Sequence, residues 1–85
     1  MTDTDILIIR KMLRILIDIG PAGLEADALK EQAEIAAARP LTTAEKDLAA
    51  KTLSERGWIA SYRQELTQRV RWYITEQGKT AYAGL

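Results

Sequence analysis

Leu53-Ser54-Glu55-Arg56-Gly57-Trp58-Ile59 is the stretch whose reading decides the fold. A helical run ends at a glycine, the residue that most readily closes a helix C-terminus, and an apolar, strand-forming run begins at once. Upstream, Thr42 and Glu45 stand at the S/T-x-x-E spacing of a capping box, with Leu41 as the apolar residue before the cap. The two signals delimit a helix over 42–56. It turns Ala49, Ala50 and Leu53 inward, beside the stem of Lys46, and Ala44, Leu48, Lys51 and Glu55 outward, flanked by Asp47 and Ser54. Leu48 is the anomaly, an apolar residue on an otherwise polar face.

Downstream, 58–62 and 70–74 have strand composition. In the second run Val70, Trp72 and Ile74 alternate with Arg69, Arg71, Tyr73 and Thr75, so one set faces a core and the other faces out. Trp58 and Trp72 read as core residues. The intervening Arg63-Gln64-Glu65-Leu66-Thr67-Gln68 lacks Gly and Pro, which implies a tip longer than a two-residue turn. Thr75 then caps a last short helix running to about Ala83, and Gly78 within it is expected to weaken it.

Two helices precede this unit. A helix from about Glu25 shows Leu29, Ala33 and Ala36 at helical spacing, with Ile35 alongside, and Arg39-Pro40 ends it because the residue before a proline is pushed out of helical geometry. The first helix starts with Asp3 as expected N-cap and stops at Gly20-Pro21. Arg10, Lys11, Arg14 and Asp18 gather on one narrow face, while Ile6, Ile8, Ile9, Met12, Leu13, Ile15, Leu16, Ile17 and Ile19 spread over roughly 200°. That is about twice the stripe of a one-sided helix. Two readings compete. Either this is a central helix covered on several sides, or part of its face, represented by Ile8, Met12, Ile15 and Ile19, forms a homodimer seam.

Eighty-five residues are expected to form one domain over 1–85, and 47% hydrophobic content is enough to build a core. Twelve basic and twelve acidic residues cancel, which counts against strong non-specific affinity for nucleic acid. There is no Cys and no His, so the usual metal ligands, the thiol and Ser–His nucleophiles and the commonest general base are missing. No metal, no cofactor and no enzymatic activity are expected. The N-terminal apolar run is too short and too interrupted by charge to span a membrane or serve as a signal peptide, so a cytoplasmic location is expected.

Ala49-Ala-Lys-Thr-Leu-Ser-Glu-Arg-Gly-Trp-Ile resembles the end of the recognition helix and first wing strand of winged helix-turn-helix regulators. Val70-Arg-Trp-Tyr-Ile-Thr-Glu-Gln-Gly-Lys resembles their second wing strand and the Leu-Thr-x-x-Gly start of the next helix, as in MarR-like and PadR-like bacterial or phage transcriptional regulators. The resemblance covers about residues 24–82. It implies a mainly α fold with a small β-hairpin, ordered helix, helix, helix, strand, wing, strand, helix. It also implies sequence-specific binding of double-stranded DNA, with the helix over 42–56 in the major groove and the wing over 63–69 on the backbone or minor groove.

The residues that the resemblance would place on DNA are Thr42, Thr43, Ala44, Asp47, Leu48 and Lys51 from the helix. Arg63, Gln64, Gln68, Arg69 and Arg71 would come from the wing. The threonines would meet phosphate at the helix N-terminus, Leu48 a thymine methyl and Lys51 a guanine edge or phosphate. Winged helices also act as protein–protein adaptors, and fold does not settle function. The neutral charge, the outward Leu48 and the acidic segment 24–41 favour that alternative; the wing arginines favour DNA.

Overall fold

The computed structural model describes residues 2–85. Its elements are α1 (Asp3–Ile19), β1 (Leu24–Glu25), α2 (Ala26–Ala37), α3 (Thr43–Glu55), β2 (Ile59–Arg63), β3 (Val70–Ile74) and α4 (Glu76–Gly84). The three strands form an antiparallel sheet in the order β1-β3-β2, with Leu24 opposite Trp72 and Ile59 opposite Ile74. Mainly helical with a hairpin, the chain has the expected order of elements, plus one strand that no sequence pattern signalled. β1 is two residues long, too short for any alternation to register, and it takes the place of the expected first residue of the second helix.

α1 is the central element and packs against α2, α3, α4 and β3. Ile8, Ile9, Met12, Leu13 and Leu16 are fully or almost fully buried along it. Burying each contributes about 1.5–3 kcal/mol, so this face alone supplies much of the drive to fold. Leu29 and Ala33 from α2, Leu41, Ala49 and Leu53 from the α3 region, and Ile59 and Ile74 from the sheet complete the core. Ile8 and Met12 are therefore core residues, with no surface left to offer a second copy. Of the four residues expected at a seam, Ile15 is half-buried and Ile19 is 41% exposed.

Local chemistry explains the helix boundaries. Thr2, not Asp3, caps α1: its hydroxyl accepts the Asp5 N–H at 3.2 Å and the Asp5 carboxylate accepts the Thr2 N–H at 3.1 Å. The reciprocal pair satisfies two otherwise orphan donors, which a cap at Asp3 would not. α2 stops at Ala37, with Ala38 in a left-handed conformation two residues before Pro40. Ala36 and Ile35 face solvent, and the half-buried Ala37 takes the inward position after Ala33. At α3 the expected capping box is present, Thr42 and Glu45 exchanging bonds of 3.0 Å.

The α3–β2 junction is built as its sequence suggests. Gly57 has φ +72°, its N–H donates to the Ser54 carbonyl at 3.1 Å, and the Trp58 N–H reaches back to Leu53 at 3.0 Å. This pair of bonds closes the helix and needs a residue comfortable at positive φ. Thr75 then locks the junction to the far end of the hairpin: its hydroxyl donates to the Gly57 carbonyl at 2.6 Å and accepts the Gly78 N–H at 3.1 Å. Gly78 is buried, and a Cβ there would collide with the Trp58 carbonyl and Ile74. What looked like a weak point in α4 is the condition for α4 to seat on the sheet. Trp58 and Trp72 pack against the core while remaining partly accessible, and Val70, at the base of the wing, is 40% exposed because the core does not extend that far.

Candidate nucleic-acid interface

α3 turns Ala49 and Leu53 into the core and leaves Thr42, Thr43, Ala44, Asp47, Leu48 and Lys51 exposed. The cap and the 43, 44, 47, 48, 51 spacing place these six on one surface at and beyond the helix N-terminus. The capping box already places the Glu45 carboxylate at this end and takes up the Thr42 and Glu45 N–H groups, so what remains to meet an anion is the Thr43 and Ala44 N–H groups and the threonine hydroxyls. Asp47, whose carboxylate would repel phosphate, is paired with Lys30 of α2, whose ammonium lies 2.7 Å from it. Lys51 pairs only loosely with Glu55, at 3.9 Å, both ends well exposed. Such an exposed pair is worth little and is easily exchanged for another anion.

The wing is a hairpin whose tip closes through the Gln64 N–H to the Arg69 carbonyl and the Gln68 N–H to the Gln64 carbonyl, each 2.8 Å. Gln68 has φ +59°. Several side chains expected to read DNA serve the wing itself. The Gln64 side-chain oxygen accepts from Arg71 at 3.1 Å and from Thr67 at 3.2 Å, and the Gln68 amide donates to the Glu65 carbonyl at 2.8 Å. Arg71 is half-buried and also donates to the Gly23 carbonyl at 3.3 Å, tying β1's approach turn to the sheet. Arg69 pairs with Glu25 at 3.3 Å on the surface. Among the described residues Arg63 forms no ion pair, and it is exposed beside the tip.

Three further residues on α2, α3 and the wing lie outside the set expected from sequence. Lys30 is one; its link to Asp47 spans seventeen positions and leaves no local pattern. Arg56 projects from the end of α3 with its guanidinium 5.2 Å from the centre of the Trp58 ring. Leu66 is 96% exposed at the wing tip. Its place in a run without Gly or Pro was the available signal. Leu48, 51% exposed, borders a hollow of about 280 Å³ lined by Asp5, Ile9, Ala49 and Thr52, where α3 meets the start of α1.

The fold has a solved counterpart. The crystal structure of SSV1 F-93 matches 99% of this chain and 82% of its own, with a TM-score of 0.67 and 25% sequence identity. The fold is winged-helix-like. No protein-family model matches the chain, and no curated protein sequence matches it. Among the described residues no helix is long and apolar enough to cross a membrane.

Proposed function

We propose that this winged-helix chain binds duplex DNA as a small, cytoplasmic, non-enzymatic transcriptional regulator and acts as a homodimer. α3 would enter the major groove with Thr43, Ala44, Asp47, Leu48 and Lys51 toward the base edges, while the wing lies on the adjacent backbone or minor groove. The observation carrying this reading is the exposed surface of α3: its residues stand together, its acidic member is already paired with Lys30, and Arg63, without an ion pair among the described residues, lies on the neighbouring wing. The likeness to SSV1 F-93 supports the architecture on which the reading rests. Ile15 and Ile19 at the C-terminal end of α1 are the remaining seam residues. A pair of chains joined there would present two recognition helices to half-sites about 34 Å, one turn of duplex, apart or a multiple of it.

The alternative, a winged-helix adaptor that binds protein and not DNA, is favoured by Leu48 and the hollow beside it, since an exposed leucine at the rim of an apolar recess suits a partner side chain. A fluorescence-anisotropy titration with mixed genomic DNA fragments separates the two. With Arg63 and Arg69 as the phosphate contacts, the slope of log K against log salt is expected to be about −2 per protomer. Arg63→Ala is expected to weaken binding uniformly across fragments and reduce that slope by about one. Absence of binding at low salt would remove the DNA reading in favour of the adaptor.

A further inference from the structure

The face of α1 turned away from the core carries Leu7, Arg10, Lys11 and Arg14, and Tyr82 of α4 stands against it. Together they line a hollow of about 300 Å³. At about 100° per residue, Arg10, Lys11 and Arg14 sit roughly 100–160° around the helix from Ile9, which borders α3. The hollow is thus separate from the proposed DNA surface and does not depend on it.

Its charge is unusual for this chain. Among the described residues, seven of the twelve side-chain cations form ion pairs, as expected when acids and bases are equal in number. Among the described residues Arg10 and Lys11 form none, and Arg14 pairs with one carboxylate, through its Nε to Asp18 at 3.3 Å. Three cations thus converge with a single exposed carboxylate to offset them. The second wall is aromatic: the Arg10 guanidinium lies 6.0 Å from the centre of the Tyr82 ring. Hydrogen bonding from Arg14 in the first place, and from Arg10 after it, holds the Tyr82 phenol below its ordinary pKa, so both guanidinium groups stand at the aromatic wall. Leu7, 39% exposed, supplies an apolar floor one turn away from Arg10 and Lys11.

We infer that this hollow binds a small organic anion, its carboxylate or phosphate head held by Arg10 and Arg14 and its apolar body resting on Tyr82 and Leu7. Arginine suits such a head because its planar fork donates two parallel, charge-assisted hydrogen bonds. The aromatic ring and leucine add contact that a bare inorganic ion does not use. Asp18 is the built-in competitor, and displacing its single contact leaves it in solvent at small cost.

The test is an NMR titration that follows arginine Nε–Hε and backbone signals at constant ionic strength, with benzoate, phenyl phosphate, inorganic phosphate and neutral benzyl alcohol as probes. Saturable shifts confined to Arg10, Arg14 and the Tyr82 region are expected with benzoate and phenyl phosphate, weaker with inorganic phosphate, and absent with benzyl alcohol. Replacing both arginines, Arg10→Gln with Arg14→Gln, is expected to weaken benzoate binding about tenfold or more. Both are exposed, so the fold is preserved and the remaining spectrum is unchanged. Non-saturable shifts, equal shifts at Arg56 and Arg63, or undiminished binding by the double variant would each overturn the site.

Discussion

Gly78 shows how much a single residue decides here. Its missing Cβ lets α4 close on the Trp58 carbonyl, and Thr75 then bridges α4 to Gly57. Gly78→Ala would gain helix propensity, worth about 1 kcal/mol, and lose more through collision with backbone that has nowhere to move. A net destabilisation of about 1–3 kcal/mol is expected, read from urea unfolding; an unchanged or raised midpoint would contradict the seating. The two capping carboxylates make a pH prediction. Asp5 is held below the usual carboxylate range chiefly by the Thr2 N–H, and Glu45 chiefly by the Thr42 N–H, with Arg39 adding to the second. A depressed folded-state pKa means stability that is present above the ordinary glutamate value of about 4.3 and is lost as pH falls through the lower folded value. Glu45→Gln is therefore expected to flatten the acid side of the stability–pH profile while leaving its dependence above pH 7 unchanged, measured by thermal melts across that range.

At the scale of elements, the wing separates two roles that look alike in sequence. Arg63 and Arg71 are both strand arginines, yet Arg71 is spent on Gln64 and Gly23 while Arg63 has no ion pair among the described residues. Arg71→Ala is expected to speed amide exchange across β1 and the wing tip, whereas Arg63→Ala leaves exchange there unaltered and lowers DNA affinity. Equal exchange in the two variants would show that Arg71 holds nothing. The difference between them could not be read from sequence, because alternation assigns a side chain to a face and says nothing of its partners. The same limit explains Lys30 and β1, both created by contacts between distant segments. What was legible rests on local chemistry: the Thr42–Glu45 box, the Gly57 stop and the 70–74 strand depend on neighbours a few residues apart. Gly78 was visible but misread, since helix propensity counts only the helix and not what packs on it.

For the whole molecule, α1 is where two sequence readings competed. It is central and covered on several sides, which accounts for Ile8, Ile9, Met12, Leu13 and Leu16. A seam on its outer face would bring Arg10, Lys11 and Arg14 against their own copies across a twofold axis, and like charges there oppose association. The homodimer is therefore expected to join through the Ile19 end. Light scattering after size exclusion at tens of micromolar is expected to give twice the 9.5 kDa chain mass, and Ile19→Lys to give the single mass; a monomer in both would remove the seam. The central claim, that α3 and the wing form a surface for duplex DNA, is tested most directly by backbone NMR of the chain titrated with unlabelled duplex at low salt. The account predicts shifts concentrated at Thr43, Ala44, Leu48, Lys51 and Arg63, with Arg10 and Tyr82 unmoved. Shifts centred on any other face, or none at all, would contradict it.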